Sequence, residues 1–207
     1  SVWRNSNAGV YDIDFADAGA SLLSKFQVKA TTGANQTGTL AFDWTDNVTN
    51  INSSSYSSDW SLAAGHWSLL LSGTNYISVR AFDNAGNSST TVDAFFILKD
   101  AVLPTIADNQ TGDDAWRNAS GVYNVDFNDL GGSLLSKFQV KATTGPDQTG
   151  ILLFDWLDNA AGIGSASYTG DWGLQPSTFS LLQSGTNYVS VRVFDYAGNI
   201  STATDVF

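Results

Sequence analysis

The chain has 207 residues, enough for one large or two small domains, and sets nine basic residues against twenty acidic ones for a net charge of −11 at pH 7. That balance argues against nucleic acid and disfavours anionic membrane surfaces as partners, because phosphate binding needs clustered Lys and Arg. It has no Cys, so a disulfide framework and a thiolate metal site are excluded, and no apolar run nears the roughly 20 residues that membrane insertion requires.

Every acidic residue is Asp and none is Glu, alongside abundant Gly, Ser, Thr and Asn. Glu favours helices, whereas Asp and Asn favour turns and caps, so the composition predicts all-β structure with many turns. In chain order, Val10–Phe15 alternates apolar residues with Asp and reads as a half-buried strand. Asp17–Ser21 is a loop, Lys25–Ala30 a strand, Thr32–Gly38 a turn and Leu40–Trp44 another strand. The polar stretch Asp46–Ser58 is expected to be a long loop, after which Trp60, Leu62, Trp67 and Leu70 lead into the stretch Leu70–Asn87. There, Ser72–Asn75 supplies turn chemistry, Ile77, Val79 and Ala81 share one strand face, and Asp83–Asn87 closes the strand with residues that tolerate left-handed geometry. Ser89–Leu98 is the last strand of the first half, and Lys99–Thr105, stiffened by Pro104, is a short extended linker. The expected core is Tyr11, Ile13, Phe15, Phe26, Val28, Phe42, Ile77 and Val79, with their matches further on.

Those matches exist because the chain repeats itself. Residues 9–95 align with 121–207 without a gap, and roughly two thirds of the positions are identical. A period of 112 residues, from Gly73 to Gly185, is too long for a solenoid and suits one sandwich per unit, giving modules at 1–103 and 104–207. The chain opens at Ser1 without a Met or a signal peptide and is expected to be a fragment or processed product of a longer array. A missing end strand would leave a sheet edge open to another chain.

The spacing Leu70-x-x-Gly73-Thr74-x-Tyr76 resembles the corner of fibronectin type III and related immunoglobulin-like sandwiches, with Ser72 where those have proline. The following Val79-Arg80-x-Phe82-Asp83-x-Ala85-Gly86-Asn87 is similar to the last hairpin of bacterial immunoglobulin-like tandem repeats. Asp17–Ser21 is similar to a glycine-containing aspartate loop of the same repeats, without its final Gly. The resemblance implies two tandem β-sandwich modules of a large extracellular surface protein. It also implies that Tyr76 packs its ring in the core and sends its hydroxyl to a backbone group.

Three chemistries are open to these residues. Asp14, Asp17, Asp83 and Asn87, their matches Asp126, Asp129, Asp195 and Asn199, and the linker Asp100 supply hard oxygens at strand ends and loops. They could serve calcium, which wants six to eight such ligands. The plainer role for them is turn shaping through bonds to their own backbone. Trp60 beside Asp59 and Trp172 beside Asp171 are the surface candidates for stacking on a sugar, against a core role for all the tryptophans. The single His66 has Thr178 as its counterpart, so no repeated triad or His cluster is present and no enzyme is expected. Lys25 and Lys29 alternate with Phe26 and Val28 and should face solvent, against an intramolecular Lys–Asn isopeptide bond.

The reading is a non-catalytic spacer or adhesive repeat at the cell surface, with neighbouring modules as its first partners. The alternatives are a carbohydrate-binding module using exposed Trp and a fibre subunit that self-assembles through open sheet edges. A cell-surface glycan or protein receptor is the external partner those readings imply, and calcium is the one cofactor in view.

Overall fold

A computed structural model describes residues 2–207. The chain divides into two units, Ser1–Ala101 and Val102–Phe207. In unit 1 the strands are β1 (Trp3–Arg4), β2 (Phe15–Ala16), β3 (Leu23–Gly33), β4 (Thr37–Ser53) and β5 (Ser55–Tyr56). A short helix α1 (Ala64–Leu69) precedes β6 (Gly73–Asp83) and β7 (Ser88–Lys99). They form a five-stranded sheet in the order β1-β7-β6-β3-β4 and a two-stranded sheet of β2 and β5.

Alternation decides which face is buried. On β3, Phe26, Val28 and Ala30 are fully buried and meet Ile77 and Val79 of β6. The second layer closes this face with Phe15, stacked on Phe26 at 4.6 Å, and with Trp60, whose ring lies 4.9 Å from Phe26. Each fully buried large apolar side chain contributes about 1.5–3 kcal/mol, so this seam holds the sandwich together.

Unit 2 repeats the plan with β8 (Thr105–Asp108), β9 (Val125–Asn128), β10 (Leu135–Gly145), β11 (Thr149–Ser165) and β12 (Ser167–Tyr168). Helix α2 (Pro176–Phe179), β13 (Tyr188–Asp195) and β14 (Ile200–Ala203) complete it. Its sheets are β11-β10-β13-β14 and β12-β9-β8. Phe127, Phe138, Val140, Val191 and Val193 are fully buried between them. Both units are therefore all-β sandwiches.

Three expectations need correction. The polar Asp46–Ser58 stretch is not a loop: β4 runs to Ser53 and pairs with β3 through a series of register shifts. Asn50 and Asn52 take positive φ (59° and 49°) there, which lets an edge strand bulge without needing apolar side chains. In unit 2 Gly162 and Gly164 hold the same two conformations without strain. Second, Val10–Phe15 forms only the two-residue β2 plus a bridge from Tyr11 to Trp60. Third, the corner is built by Asn75 rather than Tyr76. Fully buried Asn75 donates to the carbonyls of Leu71 (2.7 Å) and Gly73 (3.2 Å) and accepts from the Leu71 N–H (3.1 Å), while Tyr76 is half-buried near Phe96. Asn187 makes the same three bonds in unit 2.

The β3–β4 hairpin turns through residues 34–36, of which Asn35 and Gln36 are both left-handed (φ 55° and 59°), the geometry that matches strand twist at a tight turn. The Asn35 N–H also donates to Asp93 Oδ2 at 2.5 Å, fastening the hairpin tip to β7.

Candidate functional site

The loops after β2 and β6 hold the aspartates of each unit. In unit 1 the Ser21 hydroxyl contacts both Asp17 Oδ2 (3.1 Å) and Asp83 Oδ2 (2.9 Å), so the two carboxylates converge on one group. Asp17 Oδ1 accepts from the Gly19 N–H at 2.8 Å, an Asx turn. Asp83 accepts from the Asn87 backbone N–H (2.8 Å) and from its side-chain amide (2.7 Å). The Asn87 amide above all, helped by the Ser21 hydroxyl and the Asn87 and Ala85 N–H groups, holds the Asp83 carboxyl below the usual carboxylate range. Asn84 ties the loops further through the Ser21 and Leu22 carbonyls.

Unit 2 reproduces this clip with deeper burial. Asp129 accepts from the N–H groups of Gly131 (2.8 Å) and Leu134 (2.6 Å), and Asp195 from the Asn199 N–H (2.8 Å) and amide (2.6 Å). Asp129 and Asp195 are almost fully buried, and their carboxylate oxygens come within 4.8 Å of each other. Leu22 and Leu134 sit in the left-handed region (φ 63° and 71°), the conformation that brings the two loops together in each unit.

Asp14 and Asp126 lie outside these clips, and Asp100 is fully buried. Asp14 is exposed immediately before β2, and Asp126 on β9 accepts from the Asn109 amide at 2.8 Å. Asp100 follows β7 and donates its N–H to the Arg4 carbonyl at 3.0 Å. The clipped carboxylates accept from N–H and O–H donors of their own loops, which is the pattern of turn shaping.

The tryptophan candidates are corrected by the structure. Trp60 and Trp172 are 4% and 6% exposed, and their indole N–H groups donate to the carbonyls of Ile13 (3.3 Å) and Val125 (2.9 Å). Neither offers a ring face to a sugar, although Asp59 and Asp171 beside them are exposed. The physical reason is the bridge that Trp60 and Trp172 make with Tyr11 and Tyr123, which turns each indole inward. His66 is also buried, stacked on Phe42 at 5.1 Å with Nδ1 3.3 Å from Asn47 Oδ1, and burial pushes its pKa down.

The outer face of each large sheet carries a feature that sequence reasoning missed. Arg80 Nε donates to Gln27 Oε1 (2.6 Å), Gln27 Nε2 to Asp46 Oδ1 (2.6 Å), and Lys25 pairs with Asp46 at 2.9 Å. The Arg80 guanidinium lies over Trp44 (4.4 Å) and Phe82 (5.2 Å). Arg192, Gln139, Asp158, Lys137, Trp156 and Phe194 repeat it in unit 2. Lys29 and Lys141 pair with Asp43 and Asp155 on the same face, in keeping with their expected solvent side. The signal available in the sequence was that all these outward residues recur in the second module.

No protein-family model and no curated protein sequence matches the chain. Among solved structures, it is similar to a tetra-tandem repeat in the extending region of a large adhesion protein. That match has 18% identity and a TM-score of 0.32, and covers 92% of this chain and 47% of that one. The chain thus spans about half the length of that structure. It is also similar to fibronectin(III)-like modules of Clostridium thermocellum CbhA, with 13% identity and a TM-score of 0.35 over 98% of this chain and 85% of that one. A third similarity is to the calcium binding domain CBD12 of CALX1.1, with 11% identity and a TM-score of 0.26 over 92% of this chain and 76% of that one.

Proposed function

We propose that the chain is a tension-carrying spacer: tandem, non-catalytic sandwich modules of a large extracellular surface protein. The observation that carries this reading is the placement of the terminal strands in unit 1. β1 runs parallel to β7, with Trp3 opposite Leu98 and Arg4 opposite Lys99. Pulling the two ends of that unit apart loads these hydrogen bonds together in shear, whereas an antiparallel terminal pair would unzip one bond at a time. The duplicated loop clips and outer-face ladders support the same reading, since they stiffen a module.

Single-molecule stretching tests it. Each unit should unfold in one discrete event that releases about 360 Å of contour for about 100 residues. Unit 1 should yield at the higher force, and Arg4→Pro, which removes a donor from the parallel pair, should lower that force selectively. Unfolding of both units at a low force indistinguishable from a random chain would sink the spacer reading.

Calcium is a second reading, favoured by the convergence of Asp17 with Asp83 and of Asp129 with Asp195. Turning the Asn87 and Asn199 amides would present their oxygens to an ion in place of their N–H groups. Thermal unfolding in calcium and in EDTA decides it, because a ligand bound only by the native state raises stability by mass action. Superimposable curves would leave these aspartates as turn formers.

A further inference from the structure

Six of the nine basic residues gather on the outer faces of the two large sheets. Lys25, Lys29 and Arg80 stand there in unit 1, and Lys137, Lys141 and Arg192 in unit 2. Each trio meets two carboxylates, Asp43 and Asp46 or Asp155 and Asp158, so each cluster is net positive in a chain of net charge −11. The lysines take those carboxylates as ion-pair partners. Among the described residues, Arg80 and Arg192 form no ion pair.

Each arginine donates only its Nε–H, to Gln27 Oε1 or Gln139 Oε1 at 2.6 Å, and the N–H donors of both its Nη atoms make no bond to the described residues. The group is nevertheless held in place. Asp46 fixes Gln27 at 2.6 Å and Asp158 fixes Gln139 at 2.5 Å. The guanidinium also rests over two rings, Trp44 and Phe82 in unit 1 and Trp156 and Phe194 in unit 2. With the Nε edge occupied, the terminal Nη edge remains, and that edge matches a carboxylate with two parallel bonds. Because the fork is fixed beforehand, little ordering opposes such binding. Both arginines are half-buried, and an exposed threonine stands directly across the next strand, Thr90 on β7 and Thr202 on β14. The Asp43 and Asp155 side chains on the same faces are 67% and 66% exposed.

We propose that Arg80 and Arg192 are each the centre of a binding site for a sugar acid on the outer face of their own unit. The guanidinium fork takes the carboxylate, Thr90 or Thr202 bonds a ring hydroxyl, and Asp43 or Asp155 accepts from others. The mixed charge of the face selects this ligand. A neutral sugar leaves the fork unmatched. An acidic peptide or a phosphate dianion brings further negative charge against the aspartates and offers few or no hydroxyl donors to them. A uronic acid carries a single negative charge on a ring rich in hydroxyls. The site does not depend on the modules carrying tension.

The test titrates the 15N-labelled 207-residue chain with sodium glucuronate and follows the arginine Nε–H and indole N–H signals by NMR. Those of Arg80, Arg192, Trp44 and Trp156 should move saturably, with a Kd of about 1–10 mM for a single sugar on an open face. Those of Arg4, Arg117, Trp60 and Trp172 should stay in place. Glucose, inorganic phosphate and triglutamate at matched concentration should leave all eight signals unmoved. Arg80→Lys combined with Arg192→Lys keeps the charge but loses the fork, and should weaken binding by about 10-fold or more. Thr90→Val combined with Thr202→Val alters only exposed positions and should weaken it several-fold, with the amide spectrum reporting an intact fold. No saturable shift up to about 100 mM glucuronate, or unchanged affinity in the lysine variant, would overturn the proposal. So would an equal response to glucose, or a tighter one to phosphate or triglutamate, the last assigning the face to an acidic peptide.

Discussion

Replacing Trp172 tests whether the tryptophans are core residues. Trp172 is 6% exposed and touches four rings: Tyr123 (6.1 Å), Phe127 (6.4 Å), Phe138 (4.8 Å) and Phe207 (5.9 Å). Trp172→Ala removes the largest side chain of the unit 2 seam, and a buried Trp→Ala change costs about 3–5 kcal/mol. It also strands the Val125 carbonyl that the indole N–H serves at 2.9 Å, adding about 1–3 kcal/mol where water cannot reach. Against a total of about 5–15 kcal/mol for a domain, this leaves unit 2 marginal at room temperature. Trp172→Phe keeps a ring and loses the donor, so it should cost about half as much. In urea, with a slope of about 1–3 kcal/mol per molar, the alanine variant should lower the midpoint of the unit 2 transition by more than about 1 M and leave the unit 1 transition in place. Near-UV circular dichroism resolves the two transitions. Trp60→Ala should produce the mirror-image result in unit 1. A loss under about 1 kcal/mol with an unchanged slope would place the indole outside the core and reopen the sugar-stacking alternative.

Further outcomes follow from single groups. Gly73 has φ 105° with nothing within 4 Å of an added Cβ, so Gly73→Ala should destabilise unit 1 by about 1–3 kcal/mol through backbone strain alone, read by urea midpoint. His66 is held neutral by burial, so its folded pKa lies below the unfolded value, and unit 1 should lose stability as pH falls through about 6.5. Unit 2 has Thr178 there and should show no such slope, and His66→Thr should flatten unit 1; a slope that persists in the variant would refute the assignment. The hydrogen bond from Lys25 first, then from Gln27, depresses Asp46, and Lys137 and Gln139 do the same for Asp158. Their stabilisation is present above about pH 4 and is lost as pH falls through the depressed folded values. Asp46→Asn combined with Asp158→Asn should weaken the acid dependence of the melting temperature, and an unchanged acid limb would show that the ladders do not contribute. Both carboxylates are well exposed, so the effect should shrink in high salt.

Much of the architecture was legible in the sequence because strand burial has a period of two. Phe26-x-Val28 and Ile77-x-Val79 declare their faces without reference to anything distant, and the 112-residue repeat from Gly73 to Gly185 declares two like units. The loop aspartates could also be placed at strand ends, since Asx turns are local.

What lay beyond the sequence depended on pairing across long separations. Whether Trp60 stacks on a sugar or fills the core turns on Tyr11, 49 positions earlier, whose bridge points the indole inward. The polar residues of Asp46–Ser53 are a strand only because β3 lies beside them, and polarity marks an edge as readily as a loop. The corner motif was legible, but not which of two adjacent residues would hold it. Tyr76 and Asn75 point to opposite sides of β6, and the tertiary packing buried the asparagine. Ser21, Asp17 and Asp83 likewise became one clip only when two loops 62 residues apart met. The sequence determined faces, turns and repetition, because those are properties of neighbours along the chain. The tertiary structure decided which polar groups meet and which rings reach water, because those are properties of neighbours in space.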